Sequence, residues 1–183
     1  PRIGITEDIK PDRVSIRTDG ISGILVGVGY NVTYHVRAPS WATVRLQTGA
    51  GNITVTGISG RLVASTTSGT IKGRNLSGGV ETRATNGDVN VELASLGTDP
   101  IIIRTTNGTV GLILPATASA NLLATCTNGN ISLAGLKFEP AGEPGPERGR
   151  TRRVRGRFNA GGTSIELQTV NGNISIGAPA QAG

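Results

Sequence analysis

Methionine is absent from this 183-residue sequence, and cysteine, histidine and tryptophan occur once each. Together with two Tyr and two Phe, the large aromatic residues number only five. A single cysteine excludes an internal disulfide and leaves the redox compartment open. A single histidine, with no cysteine beside it, makes a zinc-type ligand set improbable. With so few aromatics the core must be built from Val, Ile, Leu and Ala in thin layers, which favours a stack of small repeated units over one bulky centre. No apolar run approaches the roughly 20 residues that a membrane-spanning helix needs. The chain opens on Pro1 without an initiator, which predicts removal of an N-terminal segment, with a secretory signal as the natural reading.

The net charge of +6 resembles a nucleic-acid signature until it is located. Residues 137–157 hold seven basic side chains (Lys137, Arg148, Arg150, Arg152, Arg153, Arg155 and Arg157) against Glu139, Glu143 and Glu147, and so carry four of the six charges. The basic character belongs to one segment. Six Arg within its last ten residues, led by the stretch PAGEPGPERG, make that segment an expected flexible, Arg-rich loop suited to an anionic partner. No aromatic side chain is interleaved with the arginines at 148–157 except Phe158 beside them, so base stacking is poorly provided for and nucleic acid is disfavoured.

What the sequence has in abundance is glycine, 28 residues of it, and the glycines mark a repeat. Six copies align: VRLQTGAGNITV (44–55), LVASTTSGTIKG (62–73), VETRATNGDVNV (80–91), IIRTTNGTVGL (102–112), LLATCTNGNISL (122–133) and IELQTVNGNISI (165–176). Their anchoring glycines are Gly51, Gly69, Gly87, Gly108, Gly129 and Gly172, spaced by 18, 18, 21, 21 and 43 residues. Apolar or small residues alternate at seven, five and three positions before each glycine, as at Val44/Leu46/Thr48 and Leu122/Ala124/Cys126. Apolar residues alternate again two and four positions after it, as at Ile53/Val55 and Ile174/Ile176. Each run has the period of a strand. The phase switches at the Asn-Gly pair, as it must if the chain turns a corner with both strands facing one interior. Asn-Gly accepts positive φ at little cost and suits such a corner.

The sequence therefore predicts an all-β chain whose units are strand, corner, strand. Consecutive rungs of a β-solenoid and consecutive hairpins of a β-sandwich both fit. The solenoid is favoured because the same residue types recur at each corner, and stacking like on like about 4.8 Å apart rewards such columns, asparagine ladders included. Residues 38–183 form the repeat domain. Residues 1–37 form a leader and a long strand over 24–37, with Val26, Val28, Tyr30, Val32, Tyr34 and Val36 on one face. This strand is expected to cap the stack or to join it to another molecule.

TTNGTVGLILPATASANLLATCTNGNISL and RGRFNAGGTSIELQTVNGNISIG resemble the bacterial adhesin-like β-strand-repeat domain of unknown function, DUF4097. The resemblance covers roughly residues 36–177. It implies a β-solenoid-like fold and export to the bacterial cell envelope or beyond, and it supplies no catalytic residues. The Arg-rich stretch at 148–157 is longer and more basic than that family leads one to expect.

Candidate chemistry is sparse. Asp88, Glu92 and Asp99 fall near one repeat, but the strand pattern scatters them, and general acid–base work needs a desolvated, partnered carboxylate. His35 lies on the polar face of the long strand. Cys126 replaces threonine in its column and reads as a small core residue. Of six N-x-S/T sequons (Asn31, Asn52, Asn75, Asn107, Asn130 and Asn173), three are the corner phrase G-N-I-T/S and follow from it without any glycan. Leu114 to Ala118, LPATA, reads as a turn. The expectation is a non-catalytic cell-surface protein, free of cofactor and metal, that assembles head to tail into a fibre through its N-terminal strand or solenoid ends. The alternative is a monomeric envelope module that binds anionic polysaccharide through Arg148, Arg150, Arg152, Arg153, Arg155 and Arg157.

Overall fold

The computed structural model describes residues 33–141 and 150–179, together with the backbone of strands at 4–9 and 14–19. The chain divides into two units, Pro1–Arg37 and Ala38–Gly183. In the first, β1 (Gly4–Ile9) and β2 (Val14–Asp19) pair as an antiparallel hairpin. Of the strand expected over 24–37, Val26, Val28, Tyr30 and Val32 lie outside the described residues. Over 33–37 the chain is not in a strand, and Tyr34 and Val36 are exposed.

The second unit is built wholly of strands and turns among its described residues. Each repeat yields a long strand, a corner and a short strand: β3 (Val44–Ala50) with β4 (Ile53–Thr56), β5 (Leu62–Ser68) with β6 (Ile71–Leu76), β7 (Val80–Asn86) with β8 (Val89–Leu93), and β9 (Ile101–Asn107) with β10 (Val110–Ile113). The fifth and sixth copies give β11 (Ala120–Asn128) with β12 (Ile131–Ala134), and β15 (Thr163–Asn171) with β16 (Ile174–Gly177). Between them lie β13 (Phe138–Pro140) and β14 (Arg152–Phe158). The long strands make an eight-stranded sheet and the short ones a six-stranded sheet. Within each sheet the repeat strands pair in parallel, corner beside corner. The fold is a solenoid-like stack of six rungs.

The core sits between the two sheets and is made of the predicted columns. One row runs Val44, Leu62, Val80, Ile101, Ile165, Leu122, and the facing row runs Ile53, Ile71, Val89, Val110, Ile174, Ile131. Inner rungs bury these side chains almost completely, whereas Val44 and Leu46 at one end and Ile131 and Leu133 at the other are only half-buried. Gly73 interrupts one row. Leu76 fills the space at a register shift, close enough that a Cβ on Gly73 would lie 2.7 Å from its Cδ1.

Two features depart from the sequence reading. The rungs are not consecutive: β15 lies between β9 and β11, and β16 between β10 and β12, so the sixth copy is inserted beneath the fifth. The 43-residue gap holds the chain that leaves the stack, pairs back as β13 and β14, and returns inside it. The Arg-rich segment is also not all loop. Its second half is β14, which runs antiparallel to β11 with β13 beside it. Here Val154, Gly156 and Phe158 alternate inward against Arg153, Arg155 and Arg157 outward, and Phe158 is fully buried. Its ring packs on Phe138 with centroids 5.2 Å apart, closing the core at that end.

Candidate functional site

Each corner glycine except Gly51 in the first rung rests on the one below it in the stack. A Cβ on Gly69, Gly87, Gly108, Gly172 or Gly129 would fall 1.9–2.1 Å from the carbonyl oxygen of the neighbouring corner glycine, so no other residue fits the column. Around the glycines run three ladders. Before the corner, Asn107 Nδ2 donates to Asn86 Oδ1, Asn171 to Asn107 and Asn128 to Asn171, all at 2.7 Å. After it, the side chains of Asn52, Asp88 and Asn173 accept from the backbone N–H of Thr70, Thr109 and Asn130. Inside it, the hydroxyls of Thr66, Thr105 and Thr169 donate to the carbonyls of Gly51, Gly87 and Gly108.

Cys126 takes the place of threonine in this inner ladder, its Sγ 3.1 Å from the Gly172 carbonyl. Burial pushes its thiol pKa up, with Arg152 pulling partly the other way, so the group is a neutral S–H donor at ordinary pH. Four of the sequon asparagines (Asn52, Asn107, Asn130 and Asn173) are spent on these ladders or on Arg152. Asn75 is exposed with φ 53°, in the left-handed region that asparagine tolerates. The corners are structural.

The other candidates are dispersed. Asp88 is a corner acceptor, Glu92 points outward from β8, Asp99 lies in the loop before β9, and His35 is exposed in the first unit. Among the described residues no three His, Cys, Asp or Glu side chains converge as a metal would require. Leu114 to Ala118 forms the expected turn, with the Ala118 N–H bonded to the Pro115 carbonyl. Arg148 lies outside the described residues, and Arg150 is exposed just before β14.

Two surfaces remain. The first is the open end of the stack. β3 and β4 each have a neighbour on one side only among the described residues. Because the N–H groups of Val44, Ile53 and Gly57 bond toward the second rung, the alternate residues Arg45, Gln47, Thr54 and Thr56 turn their backbone groups outward. The segment leading into β3 lies against this end, where Ser59 and Gly60 donate to the Ser40 carbonyl, and it leaves Trp41 75% exposed. In the eight-stranded sheet the opposite end is closed by the antiparallel β14 and β13.

The second surface is the outer face of the eight-stranded sheet. A groove of about 450 Å³ crosses the strands there, lined by Gln47, Ser65, Arg83, Arg104 and Gln168. Strand pairing places these residues side by side in that order, and continues the row through Thr125 to Arg153. Arg104 Nη2 is 2.7 Å from Glu166 and Arg61 is 3.0 Å from Glu81, while Arg83 reaches Glu81 only at 3.9 Å. Arg155 and Arg157 stand beside Arg153 on β14, with Arg157 bonded to Glu139. Sequence reasoning found the arginines of β14 but missed Arg83 and Arg104, which are remote in sequence. The signal for them was available: both occupy the outward position four residues before a corner glycine.

This architecture, a parallel solenoid-like stack with glycine corners, defines the class of protein. The family model Toastrack DUF4097 matches residues 10–177, and the chain belongs to that family. The match extends through most of the first unit as well as the stack. No match is found among curated proteins or among solved structures.

Proposed function

We propose that this chain is a non-catalytic structural domain of a bacterial cell surface, which joins copies of itself through the open first rung of its solenoid. The observation that carries this reading is the pair of outward-facing strand edges on β3 and β4, beside the half-buried Val44 and Leu46. An edge with no strand partner among the described residues is a template for strand addition. The exposed Trp41 adjoins it and supplies the large, rigid apolar anchor that interface centres favour.

The fibre expected from the sequence needs two usable ends. The antiparallel cap of β13 and β14 leaves the far end of the larger sheet only a three-residue strand to offer. An edge pairing with its own counterpart needs one end only, and it closes with two-fold symmetry. Among the described residues, only the four-residue β12 of the smaller sheet offers a repeat-strand edge at the far end, against both β3 and β4 at the near one, and this favours a pair joined head to head over an open filament. The separate settings of Asp88 at a corner, Glu92 on β8 and Asp99 in the loop before β9 support a non-catalytic role.

Sedimentation velocity over a hundredfold range of concentration tests the proposal, with negative-stain imaging alongside. The expected result is a monomer–dimer equilibrium. It should be abolished by Thr54→Pro, which removes an outward N–H without breaking the ladder to β6 and so should leave the melting temperature nearly unchanged. A wild-type chain that stays monomeric at high concentration, or that forms filaments, would overturn the head-to-head reading.

A further inference from the structure

The outer face of the eight-stranded sheet carries six arginines, Arg45, Arg83, Arg104, Arg153, Arg155 and Arg157, against three carboxylates, Glu81, Glu139 and Glu166. Within this face Arg83 and Arg104 stand directly opposite one another on adjacent strands. Like charges in that position repel and destabilise a sheet. Arg104 is held to Glu166, yet its buried Nε finds no acceptor among the described residues, and Arg83 is only loosely held. An anionic group lying between the two guanidiniums would relieve the repulsion and could be gripped by both planar forks.

We propose that this row is a binding site for a linear acidic polysaccharide, one that bears carboxylates or sulfates at intervals along a hydroxyl-rich chain. The row is a track rather than a pocket. From Arg104 it passes Gln168 and Thr125 to Arg153, three strand spacings or about 14 Å, so an extended polymer can meet both charged positions while a single sugar cannot. Gln168 and Thr125 between the charges, and Ser65 and Gln47 beyond Arg83, offer donors and acceptors suited to hydroxyls. Glu81 and Glu166 sit among the arginines. They would repel a backbone as dense in charge as duplex DNA, about one charge per 1.7 Å, but leave room for a sparsely charged glycan. No aromatic residue projects from the described strands of this face to stack a nucleobase, which favours the glycan over single-stranded nucleic acid. The arginines of β14, expected to act as a loop, instead extend the row onto the capping strand.

Isothermal titration at low ionic strength with polygalacturonate tests the site, with dextran as the neutral chain and oligo-dT as the competing polyanion. Using Thr54→Pro as the background protein keeps the result independent of any self-association. The expected result is binding of polygalacturonate, none of dextran, and loss of binding as salt rises. Arg83→Gln with Arg104→Gln should weaken binding about tenfold or more, the effect of one or two charge-assisted hydrogen bonds. Arg83→Gln alone touches only a loosely paired, exposed side chain, and it should weaken binding with the fold intact by circular dichroism. Lys72→Gln with Arg74→Gln removes the same charge from β6 of the other sheet and should have little effect. Equal weakening by that pair, tighter binding of oligo-dT than of polygalacturonate, or no binding at low salt would each overturn the proposal.

Discussion

A methyl group added at Gly172 would lie 2.0 Å from the carbonyl oxygen of Gly108 and 2.6 Å from its carbon, and backbone cannot yield as a flexible side chain would. At Gly51, in the first rung, the same methyl meets nothing closer than Thr48 Oγ1 at 3.4 Å. The two glycines share a conformation, with φ of 150° and 147°. Gly172→Ala and Gly51→Ala therefore share the penalty for a side chain in that region, about 1–3 kcal/mol. They also share the opposing gain from a stiffer unfolded chain, about 0.4–1 kcal/mol. What differs is the collision, which must push two rungs apart and should add about 1–3 kcal/mol at Gly172 alone. Urea unfolding followed by circular dichroism reads this as a shift in midpoint at constant slope. Fraying of the terminal rung could lessen the effect at Gly51, so Gly69→Ala is the control. It lies one rung inward, with its Cβ 2.1 Å from the Gly51 oxygen, and should resemble Gly172→Ala. Equal losses at Gly51, Gly69 and Gly172 would refute the stacked-corner account.

Asn107 both donates to Asn86 and accepts from Asn171, so Asn107→Ala should lower stability by about 1–2 kcal/mol, measured by the same unfolding midpoint. Cys126→Thr restores the residue found at this position in four other rungs and should be near neutral, whereas Cys126→Ala leaves the Gly172 carbonyl without its donor and should lose about 1 kcal/mol. Because burial raises the thiol pKa, the stability held by the neutral thiol is fully present below the unfolded value of about 8.5 and is lost as pH rises through the folded one. A wild-type stability curve that falls above about pH 8.5 should thus flatten at its alkaline limb in Cys126→Thr, as thermal melts across that range would show.

The columns were legible because burial imposes a period of two on each strand and the corner imposes glycine. Residues as far apart as Val44 and Leu122 could be assigned to one row without any structure. The order of stacking was not legible, for the same reason. Every corner presents the glycine carbonyl and ladder residues that every other corner can accept, so the sequence of the sixth copy does not say that it lies beneath the fifth. Only the long gap hinted at it. The strand at Arg152–Phe158 was hidden because charge dominated its composition, although Val154, Gly156 and Phe158 already alternated with the arginines. The Phe138–Phe158 contact joins residues whose separation carries no periodic signal. For the outer face, Arg83 and Arg104 become neighbours only once rungs stack in register.

The inserted rung bears on how the molecule is made. During synthesis the first four rungs can assemble in order as they appear. The fifth copy then emerges before the sixth, yet its place in the stack is two rungs above the fourth. Until β15 and β16 arrive, β9 and β10 hold open edges, and β11 with its β14 cap has nothing beneath it. The pairing of β15 with β9 spans more than sixty residues, as the Thr169–Thr105 register shows, and long-range closures of this kind are slow. A chain cut short before residue 163 would therefore keep the β9 and β10 edges open, while the sixth copy covers them with β15 and β16. The order of the rungs makes closure of the stack wait for its sixth corner.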